Sequence, residues 1–355
     1  MAQPIRFCTS ADGVRLAFGL HGSGPPLVRV ATWMTHLQYD WESPLWHHWL
    51  DALADGRTLL RYDERGSGVS DRDVSRFSVD AWVEDLEAVV DAAELERFSL
   101  LGLSNGGAVA IAYAQRHPER VSHMVLCGGL ARGRLRRDPA ARVEAEAMLS
   151  LIRTGWGQAN PAFRRIFTTL FVPDATPEQM MWFDEMQRIS ASPDTAALMR
   201  LAREEVDVTD LLAQVVTPTL VMHALEDAVV PFDQGREVAS TIPDARFVPL
   251  EGRNHILVAD EPAWAVFVRE LNDFLPTLPR NDVTDEVLTA RESEILRCVA
   301  EGMSNQAIAE ELCVSVRTIE RHMGNMYVKV GLHGRSGRAA IAARAASLIH
   351  RSPDA

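Results

Sequence analysis

Short apolar runs that are rich in β-branched residues alternate with segments of helical spacing through the first 275 residues of the chain. Short apolar runs between turn-forming residues are typical of buried strands. The predicted strands span residues 27–30, 58–62, 98–103, 123–127, 219–223 and 246–250, and the predicted helices include residues 79–93 and 107–116. This alternation predicts an α/β fold in which helices cover both faces of a mostly parallel sheet.

Residues 131–212 interrupt the alternation, because no convincing strand can be placed there. The stretch is rich in large apolar side chains: Trp156, Phe163, Phe167, Phe171, Met180, Met181, Trp182, Phe183 and Met186. We interpret it as a helical insertion over the sheet and call it the lid. Most of these side chains are expected to form the lid's own core, and a few to face a pocket. A pocket of this composition favours a largely apolar ligand.

A change of pattern follows residue 275. Pro276, Pro279 and the polar residues around them predict a linker over residues 276–286. Beyond it the pattern is purely helical, with N-cap candidates at Thr289, Ser304 and Ser315 and a fourth helix over residues 337–349. Two short helices, a tight turn and a longer helix form a helix-turn-helix. We therefore expect an α/β domain over residues 1–275 and an all-α domain over residues 287–355.

Composition places the chain among globular proteins. Of its 355 residues, 47% are hydrophobic and 24% are charged, which excludes a disordered, collagen-like or coiled-coil protein. No secretion signal or membrane-spanning run is visible. The four cysteines lie far apart and form no CxxC pair: Cys8, Cys127, Cys298 and Cys313. We expect a cytoplasmic protein with no metal site, no cofactor and no membrane association.

The charge is divided unevenly between the two expected domains. The whole chain has a net charge of −13, whereas residues 287–355 contain nine basic and seven acidic residues. The remainder of the chain therefore carries a net charge of −15. This asymmetry favours an acidic body joined to a C-terminal domain that has a different partner.

Residues 102–106, Gly-Leu-Ser-Asn-Gly, match the pattern G-x-S-x-G between a predicted strand and a helix of small residues. In this context the pattern predicts a tight strand-to-helix turn that projects the hydroxyl of Ser104 above the sheet. Gly102 and Gly106 let neighbouring backbone approach. The backbone N–H of Asn105 is an expected oxyanion donor.

An acid and a histidine follow in the order that such a serine requires. Asp227 lies after the predicted strand at 219–223, and His255 lies after the strand at 246–250. Side chains at the carboxyl ends of strands form the sites of open α/β sheets. In the enzymatic interpretation His255 accepts the proton of Ser104, and Asp227 orients the imidazole. Glu226 is the alternative acid.

Residues from about 10 to 275 resemble the α/β-hydrolase superfamily. The resemblance rests on the serine turn, on residues 61–70 (Arg-Tyr-Asp-Glu-Arg-Gly-Ser-Gly-Val-Ser) and on residues 117–121 (His-Pro-Glu-Arg-Val). One departure concerns the oxyanion hole, because family members often have His-Gly after the first predicted strand, where this chain has Ala-Thr-Trp-Met-Thr-His. Trp33 or Met34 is the candidate second donor there. The loss of the glycine leaves two interpretations open, a competent catalyst and a binding pocket without turnover.

About 65 residues of the C-terminal region resemble the LuxR-type (GerE-type) DNA-binding domain. The matching segments are Leu-Thr-Ala-Arg-Glu from 288, Ala-Glu-Gly-Met-Ser-Asn from 300, Ile-Ala-Glu-Glu-Leu from 308 and Ser-Val-Arg-Thr-Ile-Glu-Arg-His from 315. The resemblance implies that the third helix enters the major groove, that Asn305 contacts a phosphate and that the fourth helix forms a dimer contact. The expected DNA-binding residues are Asn305, Ser315, Arg317, Thr318, Arg321, His322, Asn325 and Lys329.

Together the two resemblances imply a transcriptional regulator whose hydrolase-like domain binds a small molecule and thereby changes DNA binding. The expected partners are double-stranded DNA, a small-molecule ligand, a second copy of the chain and RNA polymerase. The alternative is a serine hydrolase of esterase type that uses Ser104, Asp227 and His255 for real turnover and also carries a DNA-binding domain.

Overall fold

The computed structural model describes residues 4–277, 290–300, 303–312 and 314–329. Contacts within the chain divide it into two compact units, residues 1–278 and residues 279–355. No helix in the described ranges is long and apolar enough to cross a membrane. The predicted linker at 276–286 and the predicted fourth helix at 337–349 lie largely or wholly outside the described residues.

The first unit is built on one eight-stranded sheet. The strands are β1 (Arg6–Thr9), β2 (Arg15–Gly22), β3 (Pro26–Arg29), β4 (Thr58–Tyr62), β5 (Phe98–Leu103), β6 (Val121–Cys127), β7 (Thr219–Ala224) and β8 (Arg246–Leu250). Their spatial order is β1-β2-β4-β3-β5-β6-β7-β8. Every pairing from β4 to β8 is parallel, so the predicted mostly parallel sheet is confirmed.

Two strands were not predicted from the apolar pattern. β1 and β2 form an antiparallel hairpin, and β2 also pairs antiparallel with β4. Three of the four residues of β1 are exposed, and the ends of β2 are polar or glycine. β1 is an edge strand that is exposed at most positions and has no continuous apolar run, which explains why it was missed. β2, in contrast, is buried from residue 16 to residue 19, so exposure does not explain its omission.

Helices connect the strands and cover both faces of the sheet. Outside the lid they are α1 (Leu37–Glu42), α2 (His47–Ala54), α3 (Val79–Ala92), α4 (Gly106–Arg116), α10 (Phe232–Thr241) and α11 (Pro262–Phe274). α2 and α11 contribute to the apolar core on one face, and α3, α4 and α10 contribute to the core on the other. β5, which leads to Ser104, is buried along its whole length.

The lid is helical, as predicted. It contains α5 (Arg134–Arg137), α6 (Arg142–Gly155), α7 (Ala162–Phe171), α8 (Pro177–Ser190) and α9 (Pro193–Glu204), with 3₁₀ turns at Pro139–Ala141 and Thr209–Gln214. Its only β-type pairing in the described structure is an isolated bridge between Arg132 and Asp207. Trp156, Phe167 and Phe171 are buried among the core residues, whereas Met181 is exposed.

The second unit has the three helices that the sequence predicts before residue 330. They are α12 (Ala290–Ala300), α13 (Asn305–Glu311) and α14 (Val316–Lys329). Ile295, Ile308 and Ile319 are fully buried where the helices pack together. The Oγ of Ser304 accepts the amide of Ala307, so this predicted N-cap is confirmed. Thr289, the expected cap of α12, lies outside the described residues.

Candidate active site and DNA-binding helix

Ser104 stands on a strained turn between β5 and α4. Its φ is +50°, in the left-handed region that a side chain rarely adopts. The turn is held because the amide of Ser104 donates to the carbonyl of Cys127, at 3.1 Å. Strain at this position is the geometry that a nucleophile on a strand-to-helix turn requires.

The glycines around Ser104 make room for this turn. A Cβ placed on Gly102 would lie 2.8 Å from the Cα of Gly107, and one on Gly106 would lie 3.2 Å from the carbonyl oxygen of Ala31. The nearest atoms are backbone, which cannot move aside as a flexible side chain can. The small residues of the G-x-S-x-G pattern therefore let α4 approach the sheet closely.

His255 and Asp227 form a buried, hydrogen-bonded pair. The Nδ1 of His255 and the Oδ2 of Asp227 are 2.6 Å apart, and both side chains are almost fully buried. The other carboxylate oxygen of Asp227 accepts the amides of Val229 and Val230, at 2.8 and 2.9 Å. Glu226, the alternative acid, is exposed. The geometry therefore favours Asp227 as the residue that orients His255.

The surroundings keep Asp227 ionised. Burial alone raises the pKa of this carboxyl group, but His255, the amide of Val230 and His223 more than offset that effect, and the net pKa lies below its ordinary value. His223 itself is buried and bonded to the carbonyl of Val230, and burial lowers its pKa. An ionised carboxylate thus faces the Nδ1 of His255.

The loop of His255 is attached to the lid. The carbonyl oxygen of Phe171, the last residue of α7, accepts the amides of His255 and Ile256, at 2.9 and 3.2 Å. The rings of Phe171 and His255 also meet edge to face, with centroids 5.3 Å apart. The position of His255 therefore depends on the position of α7.

Ser104 and His255 face the same small cavity. Its volume is about 20 Å³, and its apolar walls include Trp33, Met34 and Phe171. Neither the Oγ of Ser104 nor the Nε2 of His255 is hydrogen-bonded within the described structure. The cavity is large enough for roughly one water molecule, so a larger ligand requires the walls to move.

The expected oxyanion residues lie around this space. Trp33 and Met34 are buried in its wall, and Met34 has a φ of +61°. Asn105 directly follows Ser104 at the start of α4. Neither the amide of Met34 nor that of Asn105 has a hydrogen-bond acceptor among the described residues. Two such amides can donate hydrogen bonds to an oxyanion even without the family's usual glycine.

A second, larger cavity of about 390 Å³ begins beside Asn105 and extends beneath the lid. Phe171 belongs to the walls of both cavities. Val229 and Val230, in the loop that carries Asp227, also border the larger one. The sequence predicted a pocket beneath the lid but not its arginine-rich wall, because those arginines come from α5 and α9, which are distant in the chain. Ligand sites generally have volumes of ~300–1,000 Å³, and this one falls in that range.

α14 presents basic side chains opposite its buried face. Ile319 and Met323 are buried, whereas Arg317 and Arg321 are exposed and Thr318 and His322 are partly exposed. The Oγ of Ser315 accepts the amide of Thr318, so it caps the helix, and Asn305 begins α13. Asn325 and Lys329 belong to α14 by its backbone, but their side chains lie outside what the structure describes.

Comparison with known proteins identifies relatives of both units. The alpha/beta hydrolase fold family matches residues 35–262, and the family of bacterial regulatory proteins named luxR matches residues 286–342. Pyrrolizixenacetamide deacetylase of Xenorhabdus hominickii is 28% identical over 74% of this chain and 94% of its own length. The 2-hydroxy-6-oxo-2,4-heptadienoate hydrolase of Pseudomonas putida is 26% identical over 72% of this chain and 87% of its own.

Solved structures resemble the first unit. A hydrolase from Pseudomonas aeruginosa PA01 has a TM-score of 0.65 at 26% identity and covers 77% of this chain and 98% of its own. An esterase from Exiguobacterium antarcticum has a TM-score of 0.64 at 24% identity, with 77% and 99% coverage, and supports the fold alone. These relatives correspond to the unit that carries Ser104, and the luxR match corresponds to the unit that carries α14.

Proposed function

The chain belongs to the α/β-hydrolase fold family and ends in a domain of the luxR regulatory family, and from this pairing we propose that it is a transcriptional regulator controlled by a small ligand. Residues 1–275 are the sensor, residues 276–286 the linker and residues 287–355 the DNA-binding domain. The single observation that carries the sensor role is the larger cavity beside Asn105. Because its target is DNA, we place the protein in the cytoplasm.

The sensor mechanism follows from the coupling of α7 to His255. The cavity at Ser104 is too small for a ligand, so binding there must displace residues of the lid such as Phe171. A ligand that binds only the displaced state shifts the population of the two states by its difference in affinity. The displacement of the lid then changes the affinity of the DNA-binding domain for DNA.

DNA binding is assigned to α14. Arg317 and Arg321 read guanine or phosphate, and Asn325 reads adenine or phosphate. Asn305, Ser315, Thr318, His322 and Lys329 complete the contacts to the duplex. Paired half-sites favour a homodimer, and the bound regulator contacts RNA polymerase.

The test modifies Ser104, whose cavity shares the wall residue Phe171 with the larger cavity, and measures DNA binding by the full chain. Phenylmethylsulfonyl fluoride is attacked by the Oγ of a reactive serine, which forms a sulfonate ester and releases fluoride. The duplex is one selected from random sequence by the unmodified protein. We expect the labelled protein to change its affinity several-fold in fluorescence anisotropy, while Ser104→Ala, treated identically, does not change. Equal affinities before and after complete labelling, verified by mass, would refute ligand control.

A second candidate function, ester or acyl hydrolysis, is favoured by the 2.6 Å bond between His255 and Asp227. In it Ser104 is the nucleophile, His255 the general base and Asp227 the orienting acid, with Trp33 or Met34 and Asn105 supplying oxyanion donors. Release of p-nitrophenol from p-nitrophenyl butyrate tests it directly. Turnover by the full chain that Ser104→Ala abolishes supports this function, and ligand control of DNA binding that survives in Ser104→Ala makes turnover incidental to regulation.

A further inference from the structure

Four arginines stand in the wall of the larger cavity. Two come from α5 (Arg134 and Arg137) and two from α9 (Arg200 and Arg203). An apolar pocket needs none of them, and cationic side chains are costly to shield from water unless they are paired. The partners of each arginine therefore show how much positive charge the cavity leaves uncompensated.

Three of the four have a carboxylate partner. Arg134 is paired with Glu144. Arg200 donates to Glu204, at 2.6 Å, and also lies over the ring of Trp33. Arg203 donates through one nitrogen to both oxygens of Glu64, and this pair is buried. These three cations are neutralised by the protein itself.

Arg137 is different. No salt bridge or side-chain hydrogen bond connects it to any residue in the part of the chain that the structure describes, although its Nε and Nη1 are shielded from solvent. Burial lowers the pKa of this guanidinium, and the neighbouring Arg134, Arg132 and Arg200 lower it further, against the attraction of Glu204. A guanidinium is never neutral in proteins at ordinary pH, so the cavity holds one uncompensated positive charge.

We infer that Arg137 binds the carboxylate of a monoanionic ligand whose apolar body lies along Phe167, Leu170 and Phe171 toward Ser104. A single unpaired cation matches a single negative charge, whereas a phosphate monoester would bring nearly two. An arginine guanidinium forms charge-assisted hydrogen bonds with a carboxylate. The apolar body of this ligand agrees with the composition of the lid. Its carboxylate is a feature that the sequence did not predict. The inference rests on the proposed sensor function for its biological meaning.

The test compares an acid with its neutral amide. Isothermal titration calorimetry measures the affinity of the full chain for 4-phenylbutyrate and for 4-phenylbutyramide, which has nearly the same shape. A charge-assisted hydrogen bond favours the acid by roughly tenfold to a hundredfold. Arg137→Gln should abolish the preference and Arg137→Lys should retain part of it.

Arg136→Gln is the matched control. Arg136 precedes Arg137 on α5, but it is exposed and pairs with Glu205 outside the cavity wall. It should keep the full preference for the acid. Arg137→Gln removes no bond that the structure describes, so its melting temperature without ligand should equal or exceed that of the original protein. A marked loss of thermal stability would mean that Arg137 is structural.

Three results would overturn the inference: no binding of the acid, equal affinity for acid and amide, or a preference that persists in Arg137→Gln. The proposed function is judged separately, by DNA affinity in the presence of the acid. An acid that binds through Arg137 and leaves DNA affinity unchanged supports the carboxylate site and argues against the sensor. An acid that changes DNA affinity equally in Arg137→Gln supports the sensor and refutes the site.

Discussion

The Nδ1 of His255 lies 2.6 Å from one oxygen of Asp227, while the other oxygen of that carboxylate accepts two backbone amides of its own loop. These backbone hydrogen bonds orient the carboxylate of Asp227 independently of His255. Of the two acids that the sequence left open, only Asp227 is placed to hold a protonated imidazole.

Asp227→Asn should lower hydrolysis of p-nitrophenyl butyrate by ~10⁴-fold, because an amide favours the wrong tautomer of His255. The asparagine oxygen can still accept the amides of Val229 and Val230, so the fold should persist. Stopped assays and circular dichroism measure the two effects. Glu226→Gln is the control and should retain full activity; equal losses in both variants would contradict the assignment of the acid.

Gly102→Ala should destabilise the protein by ~1–3 kcal/mol, since overpacking forces neighbouring atoms apart. The added methyl would lie 2.8 Å from the Cα of Gly107. Gly129→Ala is the matched control, because its nearest atom lies at an ordinary 3.5 Å. Urea denaturation compares the free energies of unfolding. If the two variants are equally stable, the close approach of α4 to β5 is not a constraint.

The stability of the first unit should fall as the pH rises from about 4 to about 7, in part because of Asp63. This carboxyl group is buried, and burial raises its pKa to about 7 against the bonds it accepts from the amides of Val69 and Leu37. The folded state therefore holds the proton more tightly than the unfolded state, and the stability this confers disappears through that range.

Asp63→Asn removes the titration, at the expense of one acceptor for a backbone amide. Its free energy of unfolding should be lower at pH 5 but should change less between pH 5 and pH 7.5 than that of the original protein. Chemical denaturation at each pH gives the two slopes, and the exposed Asp73→Asn is the control. Parallel curves for Asp63→Asn and the original protein would show that Asp63 does not titrate there.

DNA binding should weaken steeply as salt is added, because phosphate contacts release counterions. Arg321→Ala should lower the affinity and, where Arg321 contacts a phosphate, reduce the slope of log affinity against log salt by about 1. Arg297→Ala, an exposed arginine on α12, is the control. Anisotropy titrations over a salt series measure both quantities, and a flat salt response would exclude the phosphate contacts.

The sequence revealed the parts of the fold that a repeated pattern encodes. β5 is apolar throughout, and Ser104, Asp227 and His255 each follow a strand, so the edge where they meet was predictable from parallel topology. β1 is mostly exposed and gave no such signal. Burial on one face of an edge hairpin depends on partners that are distant in the chain.

The polar wall of the larger cavity could not be predicted for a related reason. Arg137 and Arg203 lie on different helices, α5 and α9, and are more than sixty residues apart in the chain. Helical periodicity does not say which charged residues of a helix will face inward. The prediction of a largely apolar ligand therefore rested on the large apolar residues of the lid. Whether an arginine is paired depends on contacts between residues that are distant in the chain, which the sequence does not give.

The two hydrogen bonds that the carbonyl oxygen of Phe171 accepts from the amides of His255 and Ile256 attach the end of α7 to the loop of His255. Any movement of α7 that admits a ligand therefore also disturbs the backbone support of the imidazole. Under the proposed hydrolysis, a ligand that holds α7 away leaves His255 without this support, whereas a ligand small enough for α7 to return does not. The size of the ligand would then decide whether it stays bound or is hydrolysed.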